Sequence, residues 1–239
     1  MNGNDFSSTP NWNARAGETI IFGSYPQRAA GKGKRPITWR VLQNSGSELF
    51  VLSEYILDCK RYHSKLAAIT WRDSDIRRWL NREFYDAAFS ADEQKLITMT
   101  QCKNNGINSP DTEDRIFLLS VEEIQTFTDS GDGIGTQIRR RTVGTDFAKA
   151  PKPDGCSLYV YDKGVEKDYI VENGKKLGCS WWWTRSQLQP EHPSRATFIG
   201  PRSNVKRYGE VNLRFYGVRP ALNLLTATTI QSPHGETDR

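Results

Sequence analysis

A single loop-rich domain of the α+β class is what the sequence predicts, and three features predict it. Short alternating apolar runs in the first fifty residues have the period of half-buried strands. Two amphipathic stretches in the middle open on capping signals and have helical spacing. A long segment from Asp129 to Gly178, rich in Gly, Pro, Lys and Asp, has neither period and reads as loops. A chain of 239 residues can bury one large core. Although 36% of it is apolar and its mean hydropathy is -0.66, its 7 Trp, 10 Phe and 9 Tyr fill a core with few residues.

Glu18 to Gly23 reads as the first strand, and Tyr25-Pro26-Gln27 with Gly31 to Lys34 as a turn and exposed loop. A hairpin follows: Pro36 to Gln43 puts Ile37, Trp39 and Val41 on one face, Asn44 to Ser47 turns, and Glu48 to Leu52 returns. The first main helix starts after Asp73 or Ser74 and carries Ile76, Trp79, Leu80, Phe84 and Ala87. Ser90 with Glu93 is a capping box opening the second, which carries Leu96, Ile97 and Met99. Ile116 to Leu119 reads as a buried strand, and Ser120 with Glu123 starts a short third helix. Ribbon strands are expected at Ser157 to Tyr161 and Asp168 to Val171. Strands are also expected from Trp181 to Ser186 and Tyr216 to Leu224, with shorter ones at Ala196 to Ile199 and Val211 to Leu213. The domain is expected over 18–225, with flexible tails at 1–17 and 226–239.

No apolar run in the first 17 residues suits a signal peptide and none anywhere approaches a bilayer span, so a cytoplasmic or phage-associated protein without membrane insertion is expected. Cys59, Cys102, Cys156 and Cys179 form no CxxC pair, which removes the zinc-ribbon and thioredoxin patterns. His63, His192 and His234 each stand alone, so no metal or cofactor is expected. Asp129, Asp132 and the Asn104-Asn105 pair are the weakest of calcium candidates. There is no nucleophile elbow or P-loop; Gly131 to Gly135 follows a helix instead of a strand and reads as a loop. The net charge of +5 is dispersed, and only Arg139, Arg140 and Arg141 form a run: a solvated loop, or a nucleic-acid contact.

The succession of Phe22 to Gln27, Pro36 to Leu42, Ser53 to Asp58, Trp71 to Asn81, Ala88 to Glu93, Asp114 to Ser120, WW-x-RS (Trp182 to Ser186) and GVRPAL (Gly217 to Leu222) resembles an uncharacterised bacterial domain family. That family is related to the C-type-lectin-like variable proteins of diversity-generating retroelements. The resemblance implies a C-type-lectin-like fold of mixed and antiparallel sheets with two main helices and long loops. Its first and last strands pair, here Thr19 to Phe22 with Val218 to Leu224, and a small second sheet displays ligand-contacting residues over 187–216. It implies no catalysis, and a protein or cell-surface ligand.

In diversified members the variable positions descend from Asn-type codons, which cannot become Gln, Glu or Lys. Gln187, Gln189, Glu191, Lys206 and Glu210 are therefore excluded, and Arg195, Thr197, Arg202, Asn204, Arg207, Tyr208, Asn212, Arg214 and Tyr216 are the ligand-binding candidates. Arg and Tyr give large contact area at low ordering cost. Trp182, Trp183, Arg185 and Arg219 are expected to serve the scaffold, with Trp182 facing opposite to Trp181 and Trp183. Arg185 and Arg219 suit backbone carbonyls or an internal carboxylate. Two further readings stay open: a regulatory or nucleic-acid-associated protein using its basic loops, and a relative of the formylglycine-generating oxidases. Those oxidases hold copper on a cysteine pair; Cys156 and Cys179 lack their motif.

Overall fold

The computed structural model describes residues 10–129, 141–161 and 168–226. The Arg139-Arg140 part of the basic run, Gly131 to Gly135 with Asp132, and His234 lie outside the described residues.

Four antiparallel strands make the first sheet: β1 (Thr19–Pro26), β2 (Lys34–Asn44), β3 (Glu48–Ser53) and β13 (Ala221–Leu225), side by side in that order. In β2 the alternation is as expected, Ile37, Trp39 and Val41 each being fully buried. The turn closes with Asn44 Oδ1 accepting from Gly46 N at 2.8 Å. Because β2 uses both its edges on its sequence neighbours, β1 and β13 end up on opposite margins. This corrects the expected pairing of the first and last strands: β13 pairs with β3, Leu222 facing Val51.

The helical segment runs through α1 (Asp75–Trp79), a π turn (Leu80–Phe84) and α2 (Tyr85–Ala88). Ser74 caps it, its side chain accepting from Arg77 N at 3.3 Å. Ile76, Leu80, Phe84 and Ala88 are buried, a spacing of four that overshoots a 3.6-residue turn; the wider π turn brings it back to one face. For that reason Ala88 points inward and Ala87 is half-buried. The second helix, α3 (Ala91–Leu96), has both bonds of its capping box. Glu93 also accepts from Gly23 N at 3.0 Å, tying the helix to β1. Met99 lies beyond it, exposed.

Ile116 to Leu119 is buried, yet it forms no strand; only Phe117 bridges to Ala221. Leu119 O accepts from the Arg185 amide, and side chains meet the backbone of Ile116 and Leu118. Asn81 Oδ1 accepts from the amides of Arg115 and Ile116, Asn81 Nδ2 donates to Ile116 O, and Arg185 takes the carbonyl of Leu118. Helix α4 (Val121–Asp129) then starts with reciprocal Ser120–Glu123 bonds, and a short α5 (Asp146–Lys149) is capped by Thr145.

The second sheet has five strands in the order β11 (Val205–Glu210), β10 (Arg195–Ile199), β9 (Trp182–Trp183), β12 (Gly217–Val218) and β4 (Asp58–Cys59). The β9–β12 pair is parallel and the others antiparallel. Two ribbons, β5 (Thr100–Cys102) with β6 (Thr112–Asp114) and β7 (Tyr169–Glu172) with β8 (Lys175–Gly178), complete a mixed, mostly antiparallel architecture with few helices. The strands expected at Ser157 to Tyr161 and Val211 to Leu213 are absent, and the one at Trp181 to Ser186 shrinks to two residues.

The expected amino-terminal tail is too long. Ala14 is fully buried, and Asn44 Nδ2 donates to the carbonyls of Trp12 and Ala14 at 3.2 and 2.9 Å. At the other end Thr226 is buried, its amide donating to Ser47 O at 2.9 Å. Among the described residues no helix is long and apolar enough to cross a membrane.

Candidate functional site

The second sheet is built on its tryptophans. As strand alternation requires, Trp181 and Trp183 both meet Phe198 and Tyr216, whereas Trp182 lies under the guanidinium of Arg219 at 5.2 Å. Tyr216 fills the centre, with ring centroids 4.1 Å from Trp183, 4.6 Å from Phe198 and 5.0 Å from Phe215. Gly209 of β11 passes so close that a Cβ there would lie 2.6 Å from the Trp183 ring. The result is a dense aromatic block immediately behind β10 and β11.

Two arginines tie this block to the rest of the molecule. Arg185 is 1% exposed, and its guanidinium makes a bidentate pair with Glu123 at 2.6 and 2.7 Å. It also donates to Leu118 O, Lys103 O and Asn105 Oδ1. Burial alone would lower its pKa, but the Glu123 carboxylate outweighs that and raises it. Arg219 donates to the carbonyls of Ser53 and Glu54 at 2.8 and 3.3 Å, joining the two sheets. Asn105, one of the calcium candidates, is buried with its amide committed to Arg185, Cys102 and Pro110.

Of the nine ligand-binding candidates, the structure exposes Arg202, Asn204, Arg207, Tyr208 and Arg214. Tyr208 is 56% exposed and stands edge-on to Phe198 at 5.4 Å. The Arg202 side chain is 66% exposed, while its Nε donates to both oxygens of buried Asp168 at 3.2 Å. Arg195 and Asn212 are half-buried. Thr197 and Tyr216 are corrections: they are 0% and 3% exposed, Tyr216 packed within the aromatic block and Thr197 buried on β10 beside Phe198. Neither side chain is presented to solvent.

Tyr159 and Tyr161 are not among the residues that sequence pattern singles out. Tyr159, 43% exposed, stacks on half-buried Trp181 at 4.9 Å and 17°, and Trp181 Nε1 donates to Tyr161 Oη at 3.1 Å. Their i, i+2 spacing is visible in the chain, but the partner lies twenty residues on, reached because Ser157 and Tyr159 amides bond to Arg214 and Phe215 carbonyls. An aromatic ledge thus continues the exposed arginine and tyrosine set.

A separate buried cluster lies at β4. Tyr25 Oη donates to Asp58 Oδ2 at 2.7 Å, and Lys152 Nζ is 3.5 Å from Asp58 Oδ1. Burial lowers the Lys152 ammonium against the pull of Asp58. The Cys59 thiol meets Cys156 and also the Arg214 carbonyl at 3.2 Å. Their mutual hydrogen bond holds Cys156 below the ordinary thiol range, and the same bond, with burial, pushes Cys59 up. The thiol partner of Cys156 is therefore Cys59, 97 residues away in the chain and joined to it by no sequence motif. Among the described residues no group of three or more His, Cys, Asp or Glu side chains converges as a metal site.

Fold and surface together define a mixed α/β domain in which a buried aromatic block backs an exposed arginine- and tyrosine-bearing hairpin. Residues 46–226 match a family described as a domain of unknown function, DUF6273, and the chain belongs to that family. No curated protein and no solved structure matches the chain.

Proposed function

We propose that this chain is a non-catalytic recognition module of C-type-lectin-like type, related to the variable proteins of diversity-generating retroelements, and that it binds a protein or cell-surface ligand. One observation carries the reading. Arg202, Asn204, Arg207, Tyr208 and Arg214 are exposed, Tyr208 stands on Phe198, and the rings of the block, Trp183, Phe198 and Tyr216, are almost wholly buried. A rigid base under Tyr and Arg side chains lowers the ordering cost of association, which favours recognition. Tyr159 and Trp181 extend the contact area with further aromatic surface. Asn204, Arg207 and Tyr208 can change identity without removing a partner from the interior, as diversification demands, whereas Arg202 also serves buried Asp168.

The test is paired affinity capture from host and neighbouring-species lysates, using the wild-type chain and a variant with Arg202, Arg207, Tyr208 and Arg214 all changed to Ala. A partner held by the wild type and lost by an equally stable variant is the expected result. Capture of the same material by both chains would show that binding lies elsewhere on the molecule.

A further inference from the structure

Far from the β10–β11 hairpin in sequence, the loop joining β1 to β2 and the first two residues of β2 read Arg28-Ala-Ala-Gly-Lys-Gly-Lys-Arg35, four cations in eight residues. It borders a surface cleft of about 520 Å3 lined by Gln27, Arg28, Lys32, Lys34 and Arg35 among others, with no carboxylate among the described residues lining it. Ordinary surface charge is interspersed by sign; four cations facing one hollow without a counter-charge is a different arrangement.

The loop is also braced. Gln27 Nε2 donates to the carbonyls of Arg35 and Pro36 at 3.2 and 2.8 Å, closing its neck. Gln27 O accepts from Phe147 N at 3.1 Å, and the Phe147 ring lies under Gly31, 3.1 Å from where a Cβ would be. Gly31 and Gly33 adopt φ of +66° and +72°, which only glycine reaches without strain. Nothing lies within 4 Å of the Cβ position of Gly33, so a ligand can approach the backbone there. Lys34 Nζ donates to Ala87 O at 2.5 Å, leaving Arg28, Lys32 and Arg35, all exposed, to face the cleft.

An adjoining cleft of about 440 Å3 shares Gln27, Arg28 and Arg35 and adds Lys149. It also holds two carboxylates: Glu172, which accepts from the Tyr55 hydroxyl at 2.5 Å, and Asp146, 3.5 Å from Lys149. Arg28 and Arg35 thus border both hollows, and the first is the one without a carboxylate among its described residues.

We infer that the Arg28–Arg35 loop is a binding site for a ligand carrying consecutive phosphates. Spaced guanidinium and ammonium groups match a row of phosphates better than a single anion, and Arg supplies bidentate contacts that Lys does not. The site is distinct from the proposed recognition surface and does not depend on it. Binding of this kind weakens steeply as salt rises, with a log–log slope of roughly one for each phosphate that the cations neutralise.

The experiment titrates inorganic tripolyphosphate and, separately, a short single-stranded oligonucleotide into three chains at low and moderate salt. These are the wild type, a variant with Arg28, Lys32 and Arg35 all changed to Gln, and a variant with Arg72, Arg82 and Arg115 all changed to Gln. The last three line another arginine-rich hollow beside α1, so the third chain loses equal charge elsewhere. Expected are wild-type binding in at least one arm, a loss of about tenfold or more in the loop variant with a slope shallower by up to about 3, and near-wild-type binding in the control. The responding arm tells whether the phosphates belong to a free polyphosphate group or a nucleic-acid backbone. Absence of binding in both arms, binding by the loop variant equal to wild type, or an equal loss in the control overturns the inference.

Discussion

The two sheets of this molecule reach order by different means. In the first, strands of 8, 11, 6 and 5 residues pair antiparallel, and the ladder itself fixes the geometry. In the second, three of five strands are two residues long, too short for a ladder to define much. There the work falls to side chains: Arg185 spans Glu123, Asn105 and two backbone carbonyls, and the Trp183–Tyr216–Phe198 stack sets the spacing. A sheet held from behind by side chains leaves its outer face free to vary. The exposed arginines and Tyr208 lie on β11 and in the loops at either end of it.

Substitution should separate the two designs. The largest effect is expected from Arg185→Leu, which leaves Glu123, Asn105 and the carbonyls of Leu118 and Lys103 without their buried donor. A loss of about 3–5 kcal/mol in urea unfolding is predicted, and a loss under about 1 kcal/mol would mean that the second sheet does not rest on this residue. Gly209→Ala drives a methyl group into Trp183 and should cost about 1–3 kcal/mol by the same measurement. In the first sheet Ile37→Val removes one methylene beneath an intact ladder, for about 0.5–1.5 kcal/mol.

A pH-dependent effect is expected at Asp75. Burial raises its pKa, but hydrogen bonds from Ser64 and Arg78 and the charge of His63, whose Nδ1 lies 3.0 Å away, outweigh that and hold the carboxyl below its ordinary range. A folded value below the unfolded one contributes stability that is present above about pH 4 and lost as pH falls through the folded value. Asp75→Asn should therefore flatten the acid limb of a stability-against-pH curve while leaving its alkaline limb unchanged; an unaltered acid limb contradicts the assignment. Smallest of all, Arg207→Ala with Tyr208→Ala should shift stability by less than about 0.5 kcal/mol.

The same contrast explains what is legible in the sequence. Ile37, Trp39 and Val41 alternate within one hairpin, and Ser90 with Glu93 cap within one turn, so period and spacing reveal both. The capping pair Ser120 and Glu123 is equally local, although Glu123 also receives Arg185 from 62 residues away. Ile116 to Leu119 misleads because a continuous apolar run reports burial, whereas only Phe117 pairs in a bridge and Ile116 and Leu118 are met by the side chains of Asn81 and Arg185. For Thr197 and Tyr216 the expectation of exposure rests on codons, which hold no information on facing. Tyr159 on Trp181 and Cys59 against Cys156 are long-range meetings that no local pattern announces.

The central claim is that the exposed residues on and beside β11 vary independently of the aromatic block. It is tested most directly by two saturation libraries sorted for protease resistance, one at Arg202, Asn204, Arg207, Tyr208 and Arg214, the other at Thr197 and Tyr216. Most members of the first library should remain folded and few of the second. Equal loss of folded members from both would contradict the claim, since the exposed residues would then be part of the structure they are held to decorate.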